Sequence, residues 1–172
     1  IKYMEADDDR LHQVARLVKA GREDVDEKVA QLVERNRSLE KELEQVKAKL
    51  ASAAGSDLAA NAVAVDGVRI VAATLEGAEP KSLRDTVDQL KNKLGSAVIV
   101  LATVKGEKVS LVAGVSKDRT DALKAGELVK FVAEQVGGSG GGRPDMAQAG
   151  GSDPGGVPKA LQLALSWVEE SL

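Results

Sequence analysis

Between Gly137 and Gly151 the chain reads GGSGGGRPDMAQAGG, seven glycines in fifteen residues. So dense a run predicts a backbone that takes positive φ repeatedly or lets something approach its amides closely, with a ligand or partner as the expected cause. Arg143, Pro144, Asp145, Met146 and Gln148 interrupt the glycines with unlike side chains, which distinguishes the run from a flexible Gly/Ser linker. The chemistry on offer is binding. Amides of Gly138, Gly140, Gly141, Gly142, Gly150 and Gly151 can meet phosphates or a flat polar surface, and Arg143 adds a planar cation able to stack or form a fork. Asp145 can accept from an amino or hydroxyl group or brace Arg143, and Gln148 can bond a ligand or the loop's own backbone. Met146 reads as an apolar anchor.

Other chemistries lack parts. A Walker A loop needs Lys and Ser or Thr after its second glycine, but Gly142 is followed by Arg143 and Pro144. A dinucleotide fingerprint starting at Gly138 and Gly140 needs a third glycine where Arg143 stands. There is no cysteine, and the single histidine, His12, sits at a polar helix start, so a metal site or a catalytic triad is not expected. Residues 1–61 carry 11 basic and 13 acidic groups and residues 62–172 carry 13 and 14, for a net charge of −3. That balance argues against a broad electrostatic clamp on nucleic acid. Tyr3, Phe131 and Trp167 are the only aromatics, too few for a base-stacking platform.

The elements that must position the glycine run fall into two parts. Residues 1–56 are expected to form a helical hairpin or coiled coil, with helices over about 7–20 and 23–50 joined across Gly21. The second carries a heptad seam, with Val25, Leu32, Leu39 and Val46 at d positions and Val29, Asn36, Leu43 and Leu50 at a. Two covers for that seam are open: the shorter helix, which offers Leu11, Val14, Leu17 and Val18, or the same helix of another copy. In a parallel pair Arg35 would face Glu40 and Glu42 would face Lys47. Ser52 to Asp57 reads as a small-residue hinge. Residues 57–172 are expected to form a small α/β (α+β) domain, a mixed sheet packed by helices, with strands at 63–65, 68–75, 97–104 and 109–115. Helices are expected at 80–94, 120–136 and 157–170, and residues 137–156 form a glycine-rich loop. Lys81, Arg84 and Lys91 share one helix face, where they could touch phosphates or simply be solvated beside Asp85 and Asp88.

The segment GGGRPDMAQAGG resembles the glycine-rich loop of the DHH-associated domain at the C-terminus of bacterial alanyl-tRNA synthetases. SKDRTDALKAGELV (Ser116 to Val129), VIVLATV (Val98 to Val104) and GAEPKSLRDTVDQLKNKLGS (Gly77 to Ser96) extend the resemblance over the last two-thirds of the chain. It implies a noncatalytic, tRNA-binding part of a cytoplasmic protein-biosynthesis enzyme, packing on the tRNA elbow and helping couple aminoacylation with editing. The glycines, Arg143, Asp145 and Gln148 would then be the tRNA contacts, with Lys81 and Arg84 beside them. Implied partners are tRNA, the other synthetase domains and a second copy through the coiled coil, with no membrane. This part would hold no cofactor or metal, while the whole synthetase would use ATP, Mg and Zn. Starting at Ile1 without a signal peptide, the chain is expected to be a piece of such a protein. DHH-family phosphodiesterases share the domain but usually carry histidine where Arg143 stands, so the substrate-gripping half of such an enzyme is one alternative. A structural dimerisation module is another.

Overall fold

The computed structural model describes residues 2–172, without the side chains of Lys2 and Ala51. Helix α1 spans Lys2–Val18 and α2 spans Val25–Ala60. The chain then forms β1 (Val63–Val65), β2 (Val68–Thr74), α3 (Pro80–Leu94), β3 (Ala97–Lys105), β4 (Lys108–Val115), α4 (Ala125–Glu134), β5 (Ser139–Gly142), β6 (Met146–Gly151) and α5 (Val157–Ser171). Contacts divide the chain into two compact units, one up to Val46 and one from Lys47 on.

In the first unit the connection between the helices is held by an Arg22–Asp8 ion pair. His12 is a surface group whose Nδ1 donates to the Asp8 carbonyl one turn back, at 2.9 Å. Ala15 and Val25 are buried, but Leu17 is 82% exposed and Leu32 and Leu39 are each 47% exposed. The cover expected from α1 therefore reaches only the turn end of the heptad seam. Val29, Leu43, Val46 and Leu50 are also exposed. Asn36 bonds along its own helix, Nδ2 to Glu40 Oε1, at 2.9 Å.

The expected hinge at Ser52 to Asp57 is instead continuous helix to Ala60. Alanine favours helix strongly, and the small side chains serve contact rather than a break. A Cβ on Gly55 would lie 3.8 Å from both Gln89 and Thr86 of α3, and Lys93 donates to Ser56 Oγ at 3.2 Å.

The second unit is built on a six-stranded mixed sheet of order β1-β2-β3-β4-β6-β5. Only β2 and β3 run parallel, linked by α3; every other neighbouring pair is antiparallel. The β1–β2 turn has positive φ at both Asp66 and Gly67, the type I′ requirement of a two-residue hairpin. One sheet face carries Ile70, Val98, Val100, Leu111 and Ala147 under the buried residues of α4 and α5. The other carries Val71, Ile99, Leu101, Val112 and Met146 under Leu83, Val87 and Leu90 of α3 and Ala59 of α2. Continuous apolar character from Ala97 to Ala102, all buried, is what a strand covered on both faces needs. The fourth helix begins at Ala125 rather than near Thr120, because the residues after the 3₁₀ turn (Lys117–Arg119) form a further turn in which Ala122 N and Leu123 N both donate to Arg119 O.

Candidate functional site

The expected loop 137–156 is largely a β-hairpin. β5 pairs with β6 through Ser139↔Gly150, Gly140↔Ala149, Gly141↔Gln148 and Gly142↔Ala147, and Arg143 N donates to Met146 O at 3.0 Å to close the turn at Pro144-Asp145. Within the run only Gly137 takes positive φ, so repeated left-handed backbone does not explain the glycines. Close approach does, and the approaching atoms belong to the chain itself. A Cβ at Gly142 would lie 2.7 Å from Ala147 Cα, and at Gly140 still closer to Ala149. A Cβ at Gly151 would meet Val136 Cγ2 at 2.5 Å, and one at Gly138 would overlap Gly150 O.

Strand alternation sorts the remaining residues. Because successive side chains point to opposite faces, Gly140 and Gly142 share the α4 face with Ala147 and Ala149. Ser139 and Gly141 fall on the α3 face with Met146, Gln148 and Gly150. Gly141 has nothing within 4 Å of a built Cβ. The α3 helix covers Met146 but leaves Gln148 and Gly150 exposed.

The tip of the hairpin is held by three elements. Asp145 O accepts from Val115 N of β4 at 3.1 Å, and Pro144 O accepts from Ala125 N at the start of α4 at 2.8 Å. From α3, Lys91 Nζ donates to Asp145 O at 3.3 Å and also lies 3.0 Å from Asp88 Oδ1. On this support Arg143 and Asp145 form a fork, Nε to Oδ1 at 3.1 Å and Nη2 to Oδ2 at 3.3 Å. The arginine side chain is 73% exposed, so the aspartate orients a cation that still faces solvent. Beside the tip, hydrogen bonds from Ser116 and Ser96 hold the Asp118 carboxyl below its ordinary pKa, and Arg119 Nε donates to Ser96 Oγ at 3.0 Å.

Hairpin residues Gly138 to Gly151 thus lie together, but with different surroundings. Lys81 and Arg84 are exposed on α3, and no hydrogen bond or ion pair among the described residues links either to the hairpin. Lys91 is the member of that helix face tied to it. Ser110 and Ser139 join the α3 face by register, Ser110↔Gly150↔Ser139. Ser110 was legible as the polar residue alternating with Val109 and Leu111 in a strand, but its neighbours were not.

A glycine hairpin clamped onto a mixed sheet by α3 and α4 defines a recognisable class. The chain belongs to the DHHA1 domain family, whose model matches residues 67–170. Within that class it is similar to the C-Ala domain of alanyl-tRNA synthetase from Aquifex aeolicus, with 34% identity and a TM-score of 0.57 over 64% of this chain and 96% of that one. It is also 55% identical over all 172 residues to the alanine-tRNA ligase of Burkholderia cenocepacia (strain HI2424), and spans 20% of that protein's length. The DHH domain of a member of the s1p family of ribosomal proteins shares the fold, at 16% identity and a TM-score of 0.50, over 78% of this chain and 33% of that one.

Proposed function

We propose that this chain is the noncatalytic tRNA-binding part of an alanine-tRNA ligase, docking on the tRNA elbow where the D and T loops meet. The observation that carries this reading is the hairpin: a glycine-rich strand pair with a braced, exposed Arg143 at its tip, in a domain similar to the C-Ala domain of a synthetase. Backbone amides and one oriented guanidinium recognise shape and phosphate rather than base identity. In the whole protein, an ATP-dependent aminoacyl-tRNA synthetase of the cytoplasm, such docking would let one bound tRNA serve both aminoacylation and editing. The chain has no cysteine, and among the described residues no group of three His, Asp or Glu side chains could hold a metal ion. Among the described residues no helix is long and apolar enough to cross a membrane.

The test is binding of the purified chain to folded full-length tRNA and to an isolated acceptor-stem minihelix. Full-length tRNA should bind and the minihelix bind poorly, with neither alanine activation nor deacylation detectable. Equal binding of the two RNAs overturns the elbow reading. A second reading concerns α2 alone. Exposure of Leu32, Leu39, Leu43 and Val46 favours pairing of this seam with the same helix of a second copy.

A further inference from the structure

The end of the sheet that carries the hairpin tip also carries the first residues of β2. Register links them strand by strand: Arg69 pairs with Ala97, Val98 with Val115, Gly114 with Met146, and Ala147 with Gly142. Successive side chains of a strand alternate between faces. Ile70 packs under α4 and α5 and Val71 under α3, which puts Arg69 on the α3 side. There, with Lys93 of α3 and Ser56 of α2, it lines a depression of about 320 Å³ whose other walls are Ala59, Ala60 and Leu94. Lys93 Nζ donates to Ser56 Oγ at 3.2 Å. No carboxylate lines the depression. Among the described residues neither Arg69 nor Lys93 enters an ion pair, whereas Lys91, Arg119 and Arg143 at the same end of the sheet each have an acidic partner.

We infer that this depression between α2, α3 and β2 holds one phosphate of the RNA backbone, with Arg69 and Lys93 as its cations and the Ser56 hydroxyl as a further donor. The inference rests on the tRNA-binding reading and adds a contact separate from the hairpin. Phosphate oxygens need donors, and all three side chains supply them: Ser56 Oγ accepts from Lys93, so its own hydrogen is left to give. Charge decides how much anion the site takes. Helix α2 ends at Ala60 and α3 at Leu94, and the carbonyl end of each helix carries about half a negative charge. Offsetting those ends is the ordinary service of cations placed here, and it uses about one of the two positive charges. The remaining charge of about +1 matches a single phosphodiester. Arg143 serves a different point on the RNA. From β2 across β3, β4 and β6 to β5 is four strand spacings, roughly 19 Å, too far for one phosphate to reach both. Two backbone contacts so separated fix the orientation of the domain on the RNA as well as its position.

The experiment measures affinity for an unmodified full-length tRNA transcript across a salt series. In a variant carrying both Arg69→Gln and Lys93→Gln, affinity should fall at least about tenfold, and the slope of log affinity against log salt should become shallower by about 0.7–0.9, the share of one phosphate contact. A variant carrying Arg69→Lys and Lys93→Arg keeps both charges and should keep the slope. Lys130→Gln, which removes an exposed cation from α4, should change neither quantity. Ser56→Asp sets a carboxylate beside Lys93 and should lose as much affinity as the double glutamine variant. Arg69, Lys93 and Ser56 are all exposed, so these variants should melt with the unsubstituted chain; should the glutamine variant unfold, Ser56→Asp decides. If the unsubstituted chain prefers full-length tRNA to the minihelix and the folded variants keep its affinity and slope, the phosphate site falls and the elbow reading stands. If the unsubstituted chain shows no such preference, both fall. A loss of affinity with an unchanged salt slope also overturns the site.

Discussion

Arg143 and the glycines beside it have separable roles. The Arg143 side chain is mostly exposed and its hydrogen bonds go to Asp145 two residues away, so the side chain contributes little to the fold. Arg143→Ala should leave the melting temperature within a degree or two and weaken tRNA binding by about 1–3 kcal/mol, the usual loss of a charge-assisted contact; a thermal melt checks the first and isothermal titration calorimetry the second. Neighbouring glycines should differ from one another in a strand-alternating way. Gly142→Val should destabilise the chain by about 1–3 kcal/mol through overpacking against Ala147, whereas Gly141→Ala should change stability by less than about 0.5 kcal/mol. Chemical denaturation of the two variants measures the contrast, and equal effects would mean that the hairpin does not hold the register described.

At the scale of elements, α2 is read by its heptads and by its small residues. Gly55 lies in helical backbone with ordinary van der Waals room for a methyl group. Gly55→Ala should raise stability by about 0.5–1 kcal/mol, seen as a higher melting temperature; a hinge at this point would respond with a loss. Asn36 is the polar member of the a positions and satisfies its amide on Glu40, so the seam has a polar break that could fix register in a helix pair. Asn36→Leu should raise thermal stability while loosening control of association, which sedimentation velocity would register as a broader distribution of masses. Unchanged stability together with an unchanged mass would argue against a coiled-coil role for this position.

For the molecule as a whole, charge decides what kind of RNA recognition is available. The net charge is −3, and Lys91, Arg119, Lys124 and Arg143 around the hairpin tip each lie near an acidic partner. Affinity that came from releasing many counterions would need unpaired cations. The expected behaviour is recognition of tRNA shape: full-length tRNAs of different amino-acid specificity should bind within a few-fold of one another, with a shallow dependence on salt. Filter binding across a salt series measures both. A steep slope, or strong preference for the alanine acceptor stem, would overturn this expectation.

Sequence alone determined the long N-terminal helices, β1 to β4 and the helices that follow, but left β5 and β6 as a loop. Alternation and turn chemistry placed β1 to β4, as at Asp66-Gly67, because those signals act within a few residues and owe little to distant packing. The glycine run left two causes open, repeated positive φ or a close approach to its backbone, and the structure decided for the approach. What approached lay beyond the sequence, since a glycine needed for a ligand and a glycine needed for a neighbouring strand are the same residue type. Only the pairing of β5 with β6 separated Gly140 and Gly142, closed in by Ala149 and Ala147, from Gly141 and Gly150, which stay open. Ser52 to Asp57 was ambiguous for the same reason: small residues suit a hinge or a close helix contact, and the approach of α3 decided for contact. In the first place the deciding atoms lie across a hairpin turn and in the second in the distant α3, and only the folded structure brings them within reach.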